Sequence, residues 1–399
     1  MNPLLDQLKP YPFERLRQLL ADTKPTHQYE QPINLSIGEP KHATPPIIKE
    51  AIIANLNGLA SYPATKGSLA LRTTIAQWIA RRYDIDTPNP DTQVLPCLGS
   101  REALFSFIQT LLTGEQDSIV VCPNPFYQIY EGASYLGGAT PYFVNASLDH
   151  PFTHEWESIP ESVWQKTQLL IVCSPDNPTG RVVSLAEWQY LFELSDKYNF
   201  VIASDECYSE IYFDQKPLGI LQAATLCGRS DYHRMICFSS LSKRSNVPGM
   251  RSGFVAGDEK LIKPFLLYRT YHGSAMSDVV AAASIVAWQD EEHVKQNRIL
   301  YQEKFKHVFP ILKPVLDVTM PEASFYLWAG TPIADTDFVK ALYEHANVTL
   351  LPGSFLSREN TAGINPGKNR VRIALVAPIE ECIEGAKRIA QFVKTMKIG

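Results

Sequence analysis

QLLIVCSPDNPTG, residues 168–180, decides how this chain folds. A short apolar run, Leu169 to Cys173, is stopped by Pro175, Pro178 and Gly180, and reads as a buried strand running into a turn. The same grammar recurs in SIVVC (118–122) ahead of PNP, and in FVIASDE (200–206), MICFSSLSK (235–243) and RSGFVAG (251–257). Helical patterns lie between these runs. SREALFSFIQTLL carries Leu104, Phe107, Ile108 and Leu111 at helical spacing, and SLAEWQYLFELSDKY opens with Ser184 and Glu187 as a capping box. Strands alternating with helices predict an α/β fold, a mostly parallel sheet with helices on both faces. In such folds ligands bind beyond the carboxyl ends of the strands, which is where the polar clusters of this chain fall.

The flanks differ. Residues 1–44 are rich in proline and polar residues, with one amphipathic segment, Phe13 to Leu20. From about Glu259 to Val315 the pattern is helical, after which VTMPEASFYLWAG, VTLLPGSF and NRVRIALVAP read as strands and IEECIEGAKRIAQFVKTM as a closing amphipathic helix. The expected organisation is an N-terminal arm (1–44) that joins a smaller α+β domain (286–399), with a large domain (45–285) between. A chain of 399 residues, 45% hydrophobic with a net charge of −5, has no basic balance pointing to nucleic acid or an acidic membrane surface. Its seven cysteines form no C-x-x-C pair, which fits free thiols in a reducing compartment. MNPLLDQLKPYPFERLRQLL has no basic region followed by an apolar one, and no apolar run approaches the ~18 residues of a membrane helix. A cytoplasmic location is expected.

Five clusters carry chemistry. Lys243 follows a strand and the hydroxyls of Ser240 and Ser242, with Arg251 and Ser252 shortly after. Hydroxyls and an arginine make a phosphate-binding set, and an amine beside one points to a phosphorylated aldehyde held as a Schiff base; a loop lysine is the plain alternative. Asp205 ends FVIAS with Tyr208 three residues on, suited to hold a pyridine nitrogen protonated and to contact a ring oxygen, or else a common strand-ending turn. Asn177 lies between two prolines and either aims its amide at that same oxygen or makes an ordinary turn. Gly99, Ser100 and Arg101 open a helix whose first N–H groups are an anion site. Arg372 alternates with apolar residues on a strand, where it holds a carboxylate or a structural salt bridge. His150 and His154, followed by Glu155, lack a third ligand and give no metal site, and no serine stands in G-x-S-x-G.

Together and in this order the clusters resemble the fold-type I aminotransferases, from NLSIGEP (34–40) to RIALVAP (372–378). The resemblance implies an aspartate aminotransferase-like large domain with a seven-stranded sheet, and pyridoxal 5'-phosphate as cofactor. By similarity Lys243 is the Schiff-base lysine, and Arg251 and Ser240 grip the phosphate with the backbone of Ser100 and Arg101. Asp205 pairs with the pyridine nitrogen, and Asn177 and Tyr208 contact the 3-oxygen. Tyr127 stacks on the ring, with Phe126 the lesser candidate. Tyr62 reaches the phosphate from the other subunit, which implies a homodimer with shared active sites. Arg372 holds the α-carboxylate and the backbone near Gly38 closes over it.

KRSNVPGMRSGFVAG and GINPGKNRVRIALV are most similar to the succinyldiaminopimelate branch, with glutamate and a 2-oxo acid as partners in ping-pong transfer; Lys66 and Arg358 are both candidates for a second carboxylate. Other expectations stay open: an acetylornithine- or aspartate-type aminotransferase, a C–S lyase with the same cofactor, or a non-catalytic sensor that keeps the fold. The chain has no segment to spare for an appended DNA-binding domain, and RSNVPGM has no physical account from sequence.

Overall fold

Thr167–Cys173 is a central strand of a seven-stranded sheet. The computed structural model describes residues 1–26, 29–115, 117–147 and 152–396, so His150 lies outside the described residues. The sheet strands are β1 (Val94–Cys97), β2 (Ile119–Asn124), β3 (Thr140–Asn145), β4 (Thr167–Cys173), β5 (Val201–Asp205), β6 (Met235–Ser240) and β7 (Gly253–Gly257). Their order across the sheet is β1-β7-β6-β5-β4-β2-β3. β7 runs antiparallel to both neighbours and the other pairings are parallel. β4 to β6 are buried along nearly their whole length, as expected of strands covered by helices on both faces.

One face packs Trp78, Trp188 and Trp288 into an apolar layer, and the other packs Phe107, Phe238 and Phe265. The expected helices form at Ser100–Leu111 and Leu185–Tyr198. Ser184 Oγ accepts from Glu187 N at 3.2 Å, but only half of the capping box closes. The Glu187 carboxylate turns instead to Arg181 and to Trp156 Nε1.

A second apolar core joins Leu16, Ile33 and Leu35 to residues from Phe305 onward. Over it lies a four-stranded antiparallel sheet built on Tyr326–Gly330 and Arg370–Ala374, with Asp317–Val318 and Leu351–Pro352 at its edges. The pairing Ile33↔Val348 ties the N-terminal segment to this part of the chain. The long helix Glu292–Leu312 and the closing helix Ile379–Met396 pack together. All seven cysteines are free, and among the described residues no helix is long and apolar enough to cross a membrane.

Candidate active site

The carboxyl ends of β4, β5 and β6 deliver Cys173, Asp205 and Ser240 to one cavity of about 820 Å³. Ser100, Arg101, Tyr127, Asn177, Tyr208, Lys243, Arg251, Gly38 and Arg372 line the same cavity, so all but one of the expected site residues converge. Tyr62 does not: its ring is fully exposed and lies outside the pocket of its own chain. Phe126 is buried among apolar side chains, against Phe143, and of the two Tyr127 is the one that lines the cavity.

Lys243 belongs to a single helical turn, Leu241–Arg244, directly after β6. Its amine donates to Gly38 O at 2.7 Å and lies 5.5 Å above the Phe325 ring. Burial pushes the amine down to about 8; Cys207 and Glu39 oppose that shift, and Arg372 and Arg101 add to it. Desolvation disfavours the ammonium, so a larger share of the amine is neutral near pH 7 than for an ordinary lysine. Asp205 Oδ2 accepts from Tyr130 Oη at 2.8 Å and Oδ1 from Cys207 N at 3.3 Å. Burial raises this carboxyl above the usual range, while those two donors and the Lys243 charge oppose the shift.

Arg251 reaches the cavity by crossing Gly99. A Cβ at position 99 would stand 2.3 Å from the Arg251 guanidinium, and Gly99 holds φ +85. Only glycine allows that approach. Because Gly99 brings no side chain, the helix Ser100–Leu111 starts without a side-chain cap, leaving its first N–H groups for an anion. Ser100 Oγ and Ser240 Oγ lie 2.9 and 3.8 Å from the Cys207 thiol between them.

Arg372, 4% exposed, donates to Asn177 Oδ1 at 3.0 Å and to Ser36 O at 2.9 Å, over the Tyr326 ring. Among the described residues no carboxylate pairs with it, which removes the structural salt bridge as its explanation, and its Nε has no partner. Gly38 packs flush on Tyr326, whose hydroxyl would be 1.8 Å from a Cβ there, and that hydroxyl lies 3.1 Å from Tyr208 Oη.

Two side chains read as candidates for a second carboxylate are engaged elsewhere. Arg358 makes a fork to Glu131 (2.8 and 2.6 Å), and Lys66 pairs with Asp91 at 3.1 Å. Neither lines the cavity. The side chain that does is Arg101, hydrogen-bonded to Tyr127 Oη. Sequence reading assigned Arg101 only a backbone role and passed over Tyr130, though both stand beside residues it had chosen. The cavity thus holds a low-pKa amine, a buried carboxylate, an uncapped helix start with hydroxyls and a guanidinium, and a second guanidinium without an acid. That donor set fits pyridoxal phosphate: anion donors for its phosphate, an acid for its ring nitrogen and an amine for its aldehyde.

His154, the other half of the histidine pair, is buried against Trp156, and among the described residues no group of three metal-binding side chains is assembled. RSNVPGM acquires a physical account. Arg244 is buried between Trp78 and Trp288 and bonds Ala287 O, Asp290 O and Glu291, and Asn246 takes a left-handed φ of 52.

Comparison with known proteins agrees with this geometry. The profile of the family described as aminotransferase class I and II matches residues 30–389. An LL-diaminopimelate aminotransferase of Aquifex aeolicus is 33% identical, over 96% of this chain and 97% of that one. The crystal structure of an aminotransferase from Neisseria meningitidis superposes with a TM-score of 0.95 at 54% identity, covering 98% of this chain and 99% of that one. A probable N-succinyldiaminopimelate aminotransferase of Thermus thermophilus superposes with a TM-score of 0.84 at 25% identity, covering 96% and 100%.

Proposed function

This chain belongs to the class I and II aminotransferases, enzymes that use pyridoxal phosphate, and we propose that it moves an amino group between glutamate and N-succinyl-2-amino-6-oxopimelate, reversibly. The observation that carries the substrate class is Arg372: a buried guanidinium without an acid is the place for an α-carboxylate. Arg101 supports the second half of the reading, since its side chain is a further cation in the cavity and an acylated diamino acid is rich in carboxylates.

The bound cofactor supplies an electron sink for the carbon that loses its proton. The residues divide the remaining work. Asp205, oriented by Tyr130, would hold the ring nitrogen protonated, and Asn177 and Tyr208 would serve the ring oxygen. Ser100, Arg101 N–H, Ser240 and Arg251 would hold the phosphate, and Tyr127 would pack on the ring. Lys243 would hold the cofactor through its amine, and the free amine would take the α-proton as base and give it back as acid. Its lowered pKa suits both tasks.

Glu39 also lines the cavity, although it pairs with Lys41 at 3.0 Å, and it favours a second reading, free LL-diaminopimelate, because a carboxylate there suits a distal ammonium. The two separate in one experiment: titrate the holoenzyme with glutamate, N-succinyl-LL-diaminopimelate and LL-diaminopimelate, following the cofactor absorbance. Conversion by the succinylated compound supports the first reading; conversion by the free diamino acid alone replaces it with the second. Leu59, Tyr62 and Leu69 are each exposed within one stretch of the chain, which supports a homodimer in which Tyr62 reaches the partner's phosphate site. Seven free thiols support the cytoplasm as its location.

A further inference from the structure

The turn that carries Lys243 is only four residues long, Leu241–Arg244. One helical turn fixes several dihedrals for very few internal hydrogen bonds and leaves its last carbonyls without helical partners. Its geometry must come from outside, and one side chain stands at the centre of that support. Asn297, 3% exposed on the helix Glu292–Leu312, donates from Nδ2 to Lys243 O at 3.1 Å and to Arg244 O at 3.4 Å. Its Oδ1 accepts from Asn246 Nδ2 at 3.0 Å and meets His42 Nδ1 at 2.8 Å. An amide oxygen only accepts, so His42 Nδ1 carries a hydrogen and donates. His42 follows the segment whose Gly38 O receives the Lys243 amine, and Thr44 Oγ1 donates to Asn246 O at 2.9 Å.

We propose that Asn297 is a positioning residue: it sets where the Lys243 amine stands and, through His42, couples it to the Gly38 segment that covers the substrate carboxylate. The inference rests on the reading of Lys243 as the cofactor-bearing lysine. Without Asn297 the carbonyls of Lys243 and Arg244 are left unpaired and the turn is free to rotate. The amine then loses its fixed depth of burial, and with it the environment that lowers its pKa.

The test uses holoenzyme of Asn297→Leu and Asn297→Gln, with His293→Ala as the structural control. His293 Nε2 touches the same stretch at Ser245 Oγ, 2.8 Å away, without reaching the Lys243 carbonyl. The pH at which the absorbance of the lysine-held cofactor changes is measured beside kcat, KM and Tm. Asn297→Leu is expected to move that midpoint by about half a unit or more and to lower kcat about tenfold, with the KM for glutamate within about twofold. His293→Ala is expected to move Tm alone. A wild-type midpoint and kcat in folded Asn297→Leu overturn the proposal, as does an equal midpoint shift in His293→Ala. If Asn297→Leu does not fold, Asn297→Gln decides, since its longer side chain moves the amide off both carbonyls; a wild-type midpoint there overturns the proposal too. Lys243→Ala is the separate check on the lysine. If the absorbance change persists in it, the lysine assignment falls and this inference with it.

Discussion

The side chains of Arg82, Arg244 and Arg269 are buried, as Arg372 is, yet they occupy a different kind of place. Arg82 faces Glu210, Arg244 faces Glu291 and Arg269 faces Glu102, each within salt-bridge distance. Arg372 faces an amide, a carbonyl and a ring, and among the described residues no acid. A buried cation is costly unless paired, so a protein that leaves one unpaired in a cavity keeps a position open for an anion from outside. Removing the first kind should unfold; removing the second should disarm.

The largest expected effect is at Lys243. Lys243→Ala should retain pyridoxal phosphate binding yet lose the lysine-dependent absorbance and nearly all turnover, measured by spectrophotometry and a coupled glutamate assay; near-normal turnover would sink the assignment. Next, Arg372→Leu should lower kcat/KM by roughly 10²–10³ while leaving Tm close to wild type, because no carboxylate is stranded. Arg82→Ala should do the reverse, costing about 3 kcal/mol in urea denaturation because it strips Glu210 of its nearest cation, with little change in kcat if the fold survives. Equal loss of stability in both variants would erase the distinction.

A smaller effect is expected at Arg101. Arg101→Leu should raise KM about tenfold for substrates with a second carboxylate and spare those without one, a comparison of KM across substrates. The mildest test is in pH. If Lys243 is the cofactor-bearing lysine, its amine must be neutral to react with an aldehyde, and burial lowers its pKa to about 8. Uptake of pyridoxal phosphate by cofactor-free protein should therefore be slow below that value and speed up as pH rises through it. A midpoint near the ordinary lysine value would mean that the amine is not buried as described.

What was legible in the sequence follows from what stays local. The strands ending at Cys173, Asp205 and Ser240 announce themselves by apolar runs that stop at polar residues, and each polar end turns out to face the cavity. Arg372 was legible because a charge in an alternating strand has to be accounted for. What failed was pairing at long range. Arg358 looked free, but its partner Glu131 lies 227 residues earlier on a helix, and no local pattern links them. Tyr130 was hidden because its contact with Asp205 depends on two elements meeting across the sheet. The support under Lys243 had a faint signal: His293, Asn297, Tyr301 and Lys304 follow helical spacing as a stripe of polar groups on what proves a mostly buried face. In sequence that stripe is indistinguishable from a solvated one.

The antiparallel course of β7 has one more consequence. Register places Ser240 opposite Gly253, so the strand that ends at the lysine turn and the strand that begins after Arg251 are hydrogen-bonded neighbours. The lysine turn and Arg251 thus both lie in the connection between two paired strands, so one hairpin carries the amine and the guanidinium. Arg372 stands on a different sheet, so the part of the cavity it supplies is built independently of that hairpin.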